Sequence, residues 1–544
     1  MIGNEYLFSN IGIDSIAFYA PRHYIDVEEL AIKRGVDPAK YKEGLLLKEM
    51  RLPEADEDII SIGLKAGYNA LLRGNINPKE IDALFVGTET VTYSVKSVSN
   101  IFAEFLNISP NSITQDIYNA CAGGTLAILN AIALIEKDVI SKALVISADI
   151  SSYEIDSPSE PTQGSGAIAM VLCKNPRIAT FSKKFGKISG NINDFFRPAH
   201  EKDAQVFGHY SVDTYLNFQL QAYDDLINQI GDFYADYYAF HAPFSKMPIK
   251  CVQQIIEKRW AKNINNLLKY TRSDFASSIF KKLDSVMQNI SVLPEYLYLK
   301  LKEKGFSSDN LEKLSNWVIS SVKGSVLPQL RVPMSFGNMY NASVWAQICY
   351  ILENHANDND TIYFGSYGSG ATCISGLLKM QPTFKPIVSN GPKVNDFILN
   401  KTRASVADYE QWKKGVIQPD IVLGKIVAYE ENDQRGFLLH FCDEGCIIPN
   451  FKGLDYCPKG HNGFHTRFFP LYAVLESDDL IHTNTYDTSL LKDGLVRVAQ
   501  NTQKGNILEY EMRRVAPKDE KNASYTAVGL LNWVPIYIPV DQVF

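Results

Sequence analysis

Three side chains suited to covalent group transfer stand in turn-rich settings: Cys121 in NACAGG, Glu89 in VGTET and His241 in AFHAPFSKM. Cys121 follows a predicted strand and opens a predicted helix. There the helix dipole and the free N–H groups favour a thiolate, which lowers the thiol pKa and makes a nucleophile. Gly123 and Gly124 allow a substrate or another backbone to come close. Glu89 ends a predicted buried strand, where α/β proteins place functional side chains. Taken singly, each has a plainer reading: a buried structural cysteine, a solvated loop glutamate, a hydrogen-bonded core histidine. Asn338, in FGNMYNAS ahead of Ser343, reads singly as a turn residue. A separate series, Cys442, Cys446, Cys457 and His461, has the spacing C-x3-C-x10-C-x3-H, which could hold a structural zinc. The spacing is loose for a zinc knuckle, so the expectation is no resident cofactor, with these four residues as the metal candidates.

The elements that must position these groups alternate between strand and helix. Residues 10–18 read as a strand, 57–72 as a helix stopped at Arg73-Gly74-Asn75, and 81–86 as a short buried strand. Residues 98–106 and 121–135 read as helices, and 143–147 as another buried strand. The pattern recurs with a helix over 345–353, a strand over 361–364 and a glycine-rich turn, GSYGSG, over 365–370. Continuous apolar strands between helices imply a largely parallel sheet covered on both faces. Between these halves, 210–325 reads as mostly helical, with an ordered helical insertion over about 258–330. Beyond 450, β-like segments at 495–500, 506–515, 525–531 and 534–540 predict a small barrel or sandwich. The expected domains are 1–175, 176–450 and 451–544.

Composition narrows the function classes. The 544 residues are 46% hydrophobic and 21% charged, with a formal net charge of -7, which disfavours a nucleic-acid binder. The 8 cysteines are scattered, unlike a disulfide framework. No signal peptide or membrane-spanning run is visible, so a cytoplasmic protein with no membrane partner is expected.

Nine blocks in order resemble the 3-hydroxy-3-methylglutaryl-CoA synthase family over roughly 10–450. They are IGIDSIAFYAPRHYID (11–26), GTETVTYSVKSVS (87–99), NACAGGT (119–125), SADISSYE (147–154), EPTQGSGAIAM (160–170), NDFFRPA (193–199), FHAPFSKM (240–247), GNMYNAS (337–343) and GSYGSGA (365–371). The resemblance implies an α/β duplicated thiolase fold of αβαβα layers and a homodimer. It implies that Cys121 accepts acetyl from acetyl-CoA, that Glu89 takes a proton from the acetyl methyl, and that His241 binds acetoacetyl-CoA and helps protonate the new alkoxide. It implies an oxyanion hole at the backbone of Cys121 and Ser369, substrate contacts from Tyr153, Asn338, Ser343 and Tyr367, and CoA contacts from Lys246 and Lys250. The same triad would serve β-branching on carrier-protein-bound β-ketoacyl chains. An initiating ketoacyl synthase is a further alternative, but it has no glutamate at the position of Glu89. A thiolase would need a second catalytic cysteine, and Cys373 reads as core.

Two features depart from a minimal member of the family: the helical insertion, and a tail of about a hundred residues after RGFLLHF (435–441). The tail weakly resembles the OB-fold domain of the DUF35 type. That resemblance implies a wall of a CoA channel or a docking face for a thiolase or carrier-protein partner.

Overall fold

A computed structural model describes residues 7–54, 56–198, 201, 203–231, 233, 235–252, 254, 255, 325–382, 384–413, 421–431, 434–444, 447, 448, 456, 457, 460–483, 491, 493–514, 533–541 and 543. The expected insertion over 258–330 and the strand expected at 525–531 fall largely or wholly outside these residues.

The central sheet holds ten strands: β1 (Phe8–Tyr19), β2 (Ala83–Gly87), β3 (Ile113–Ile117), β4 (Lys142–Ile150), β5 (Ser165–Lys174), β6 (Ala179–Ser182), β7 (Gly186–Ser189), β8 (Tyr237–Phe240), β9 (Thr361–Gly368) and β10 (Thr372–Met380). Their order is β8-β9-β10-β6-β1-β5-β4-β2-β3, with β7 beside β10. Two runs of this order repeat one pattern. β2 pairs parallel with β4, β4 antiparallel with β5, and β5 antiparallel with β1. Likewise β8 pairs parallel with β9, β9 antiparallel with β10, and β10 antiparallel with β6. β1 and β6 join the two runs antiparallel. The structure is therefore a duplication seamed at its middle.

Helices cover both faces: α1 (Ile59–Gly74), α2 (Val98–Phe105), α3 (Gly123–Glu136), α4 (Gly208–Ile230) and α5 (Ser343–Asn354). The apolar faces of α3 and α5 share one core with Phe85, Val145, Ile168 and Met170. The alternate strand residues Leu84, Val86, Leu144 and Ile146 pack against α1 and α2 on the other side. β2 is buried along its whole length, which explains the unbroken apolar run of its sequence. α1 begins where the Asp58 side chain accepts from the Ile60 and Ser61 N–H groups, both at 3.0 Å. It ends at Asn75 with φ 49, a left-handed cap.

Three expectations are corrected here. The sheet is mixed and not largely parallel: three of its strand pairings are parallel and six antiparallel, because β4 to β5 and β9 to β10 follow one another without a long crossover helix. Within the region 210–325, expected to be mostly helical, β8 is a strand, and His241 follows it. Four residues, three of them aromatic, fit either period, and only pairing with β9 decides between them. GSYGSG is likewise not a turn throughout. Gly365 to Gly368 belong to β9, which stays paired with β10 as far as Gly368 opposite Thr372. Its glycines serve proximity: a Cβ on Gly368 would stand 2.6 Å from the Asn119 carbonyl and 2.8 Å from the Ala122 nitrogen, beside the cysteine loop.

The tail forms a closed barrel from β11 (Ile421–Ala428), β15 (Tyr472–Leu475), β17 (Leu495–Val498), β18 (Ile507–Arg514) and β19 (Trp533–Val540). Pairings run β11-β15-β18-β19-β17 and back to β11, all antiparallel except β17 with β19. The short β16 (Ile481–Thr483) adds to β11. Between the first two barrel strands the chain makes a separate sheet of β12 (Gly436–Phe441), β13 (Ile447–Ile448) and β14 (His465–Pro470). The barrel thus starts at Ile421, ahead of the boundary expected at 451, because its first strand is separated from the rest by this inserted sheet.

The barrel is fastened to the main body by buried charge. Arg513, 1% exposed, meets Asp56 at 3.1 Å, Glu57 at 3.4 Å and Glu511 at 2.7 Å. Arg497 reaches Asp56 at 2.6 Å, and Lys65 on α1 reaches Glu509 at 2.7 Å. The Glu509 carboxylate of the barrel explains why a helix with such an apolar sequence carries a buried lysine. Removing one member strands the opposite charges without water, which costs about 3–5 kcal/mol. Arg513→Ala is expected to lower the unfolding free energy by about that amount in urea titrations, while an exposed control such as Lys187→Ala stays within about 0.5 kcal/mol.

Candidate active site

The duplication brings the same part of each half to one place. Cys121 lies in the loop between β3 and α3, and Asn338 to Ala342 lead into α5. Glu89 follows β2, His241 follows β8, and Ser369 sits in the turn after β9. Both helix-leading loops hold a non-glycine residue in left-handed conformation, Ala120 at φ 42 and Tyr340 at φ 43. Such conformations persist only where the surroundings over-determine them.

The clamp is Asp149, at the end of β4 and fully buried. One of its oxygens accepts from the Thr88 hydroxyl at 2.9 Å, the Glu89 N–H at 2.9 Å, and the Thr90 N–H and hydroxyl at 3.0 and 2.9 Å. The other accepts from the Asn341 backbone at 3.0 Å and its amide at 2.8 Å. The Asn341 amide also donates to the Ala120 carbonyl at 2.9 Å, and its oxygen accepts from the Gly124 N–H at 2.8 Å. One carboxylate and one amide thereby fix the glutamate loop, the cysteine loop and the start of α5 together.

The Cys121 thiol points at Glu89, with Sγ 3.6 Å from Oε2. Both groups are buried. Burial pushes the Cys121 thiol well above its ordinary range, and the Glu89 and Asp149 carboxylates push it further. This corrects the expectation of a thiolate stabilised by a helix terminus. α3 starts only at Gly123, two residues past the cysteine, and the thiol is buried beside a carboxyl group. Burial, then Asp149, also raises the Glu89 carboxyl well above the usual carboxylate range. His241 is pushed down to about 3 by burial. Its backbone N–H donates to the Gly365 carbonyl at 2.8 Å, and its backbone carbonyl accepts from the Tyr215 hydroxyl. Its Nδ1 has no hydrogen-bond partner among the described residues. The imidazole is thus neutral at physiological pH, with an unfilled hydrogen-bonding position.

A cavity of about 470 Å³ is lined by Cys121, Tyr153, His241, Asn338, Tyr340, Tyr367, Ser369 and Lys250. A second, of about 690 Å³, is lined by Glu89, Tyr118, Arg197, Tyr340 and Ser369. Phe195, Tyr340 and Ser369 line both, so cysteine and glutamate meet across the partition between two cavities. Tyr367 donates to Asp194 at 2.6 Å, and Asp194 also accepts from the Gly370 N–H at 2.9 Å, which shapes the turn carrying Ser369. Two sequence expectations fare differently. Ser343 is fully buried and takes the Ala242 N–H at 3.3 Å, so it braces the histidine loop and does not face the cavity. The Lys246 ammonium donates to the Glu43 carbonyl at 3.1 Å, while Lys250 lines the cavity. Cys442, Cys457 and His461 meet elsewhere, on the tail; Cys446 lies outside the described residues. Sequence reasoning passed over Asp149, Asn341, Asp194, Arg197 and Tyr340, although each stood inside a block it had singled out.

A duplicated sheet with a cysteine ahead of one central helix and an asparagine ahead of its counterpart defines an acyl-transferring enzyme of the thiolase fold. Residues 8–176 match the family described as hydroxymethylglutaryl-coenzyme A synthase N terminal, and 185–384 match its C-terminal counterpart. The chain is 31% identical over 295 residues to hydroxymethylglutaryl-CoA synthase of Enterococcus faecalis, covering 52% of this chain and 76% of that one. It is 30% identical over 386 residues to the enzyme of Gibberella zeae, covering 66% and 80%. Among solved structures, an HMG-CoA synthase complexed with CoA superposes with TM-score 0.58 at 25% identity, over 74% of this chain and 89% of that one. MvaS in complex with 3-hydroxy-3-methylglutaryl coenzyme A gives TM-score 0.62 at 23% identity, over 84% and 98%. The chain belongs to the hydroxymethylglutaryl-CoA synthase family. Both family matches end before the barrel begins. Among the described residues, no helix is long and apolar enough to cross a membrane.

Two measurements check the electrostatics. Alkylation of Cys121 by iodoacetamide, followed by peptide mass, should show no rate plateau below about pH 9, and Glu89→Gln should move the inflection down. The His241 imidazole should show no NMR titration between about pH 5 and 8. Its folded pKa lies below the unfolded value near 6.5, so its contribution to stability is present above that value and is lost as pH falls towards about 3.

Proposed function

We propose that this enzyme condenses acetyl-CoA with acetoacetyl-CoA to give hydroxymethylglutaryl-CoA, through an acetyl-Cys121 intermediate. The observation that carries the reading is the buried contact of 3.6 Å between Cys121 and Glu89 beside a cavity that also holds His241. With its pKa raised, the thiol needs a base at the moment of attack. Glu89 takes the thiol proton as sulfur attacks the acetyl thioester, and returns it to the departing CoA thiolate. The restored carboxylate then takes a proton from the acetyl methyl. Its raised pKa, brought about by the dry site and Asp149, makes it a stronger base than a solvated carboxylate.

The enolate attacks the ketone carbon of acetoacetyl-CoA. Neutral His241 hydrogen-bonds that ketone oxygen and passes its N–H proton to the alkoxide as it forms; the proton that Glu89 took from the methyl is handed on to restore the imidazole and the carboxylate. A charged imidazolium would bind anions less selectively, and burial keeps it from forming. Backbone N–H groups at Cys121 and Ser369 stabilise the thioester oxyanion. Tyr153, Asn338 and Tyr367 orient the acyl groups, and Lys250 faces the CoA arm. Water finally hydrolyses the thioester to Cys121. A homodimer belongs to the same reading.

The reading is tested by incubating the protein with radiolabelled acetyl-CoA, quenching in acid and locating the label by peptide mass. Label on Cys121 that acetoacetyl-CoA discharges to hydroxymethylglutaryl-CoA is the expected result. Cys121→Ala should take no label. Glu89→Gln should both take label and condense more slowly, by about 10²–10⁴-fold. Label that acetoacetyl-CoA does not discharge, but a carrier-protein-bound β-ketoacyl chain does, would overturn the choice of acceptor. Absence of label on folded protein would overturn the reading itself.

A further inference from the structure

The inserted sheet β12–β13–β14 carries two cysteines and a histidine at one tip. Cys442 directly follows β12, Cys457 lies in the connection between β13 and β14, and His461 comes four residues later. The sulfurs of Cys442 and Cys457 each stand 3.7 Å from the same atom, His461 Nδ1. All three ligand atoms lie within 4.8 Å of one another. A tetrahedral zinc with Zn–S of about 2.3 Å and Zn–N of about 2.0–2.1 Å requires a sulfur–nitrogen separation of about 3.6 Å. Both observed separations match that edge length.

The local backbone fits the same purpose. The Gly460 N–H donates to the Cys457 carbonyl at 2.8 Å, which closes a tight turn directly before His461. Gly460 takes φ 76 there, and Gly463 takes φ 78 just beyond. Two left-handed glycines turn the histidine back towards the cysteines. Among the described residues, the tip has a small buried cluster of its own. The buried cluster there consists of Cys442, Ile448 and Cys457. Phe464 and Phe468 are 44% and 42% exposed. Leu439, Phe441, Ile447 and Phe469 of the same sheet pack into the main core, so among the described residues the tip itself is the part where a staple of another kind would hold the chain.

We propose that Cys442, Cys457 and His461 bind a structural zinc ion that holds the tip of this inserted sheet. Binding displaces the two thiol protons, so both sulfurs coordinate as thiolates, and Nδ1 of the neutral imidazole supplies the nitrogen. The donor set of soft sulfur and imidazole selects zinc over hard cations such as magnesium or calcium. Cys446 lies outside the described residues and is not part of the assigned set. The site is independent of the condensation chemistry, since its residues line neither active-site cavity.

The test uses the full chain, purified without chelator in zinc-containing medium, with metal measured by plasma mass spectrometry. About one zinc per chain is expected, released as the thiols are titrated with a mercurial. The variants Cys457→Ser and His461→Ala should each fall to about a fifth of that content or less. Because these variants could fail to fold, cobalt is also exchanged into the native protein, where a thiolate-to-cobalt charge-transfer band is expected. Folded native protein without zinc, and without that band after cobalt is added, would overturn the proposal, as would variants that retain full zinc.

Discussion

The active site depends on one buried carboxylate. Asp149 gathers six donors, four from the Thr88–Thr90 segment and two from Asn341. Asn341 in turn holds the Ala120 carbonyl and the Gly124 N–H on either side of Cys121. A carboxylate is worth burying when its lone pairs are filled, and here the filling groups come from both halves of the duplication. The relative placement of thiol and glutamate is thus set by a hydrogen-bond network at the seam, and not by either loop separately.

The same dryness governs the chemistry. Water excluded from the seam raises the Cys121 thiol and the Glu89 carboxyl and lowers His241, all in the direction of the neutral form. Such a site does not hold a ready thiolate. It moves one proton among neighbours as charge develops, which suits a reaction that begins and ends with thioesters. The barrel presents the opposite solution to burial. There acidic groups from the segment before α1 hold Arg513 in its charged form, and one of them, Asp56, also pairs with Arg497. That network binds the tail to the body, and Glu509 of the barrel explains the buried Lys65 of α1.

Much of this was readable in residue order. The alternation of apolar strands and helices announced an α/β core, and the blocks around Glu89, Cys121, His241 and Asn338 announced the site. Local signals worked wherever local physics decides: the Asp58 cap, the stop at Asn75, the buried run of β2. They failed where pairing decides. β8 was read as helix because four residues cannot show a period, and Gly365 to Gly368 were read as a turn because glycine marks turns and close approaches alike. The barrel's first strand was separated from its partners by an inserted sheet, so the domain boundary fell in the wrong place.

By itself, then, the sequence determined which groups are available for chemistry, which segments are apolar enough to be buried, and the family to which the chain belongs. Those properties belong to short stretches, and side-chain type and spacing carry them. Only the tertiary structure decided that Cys121 rests as a thiol, that Ser343 braces the chain beside His241 and does not face the cavity, and that Cys442 and Cys457 share a histidine. Each of those outcomes depends on distances between residues far apart in the chain. The electrostatic energy of a buried group is set by what stands within a few ångströms of it, and neighbours across a fold are absent from the order of the residues.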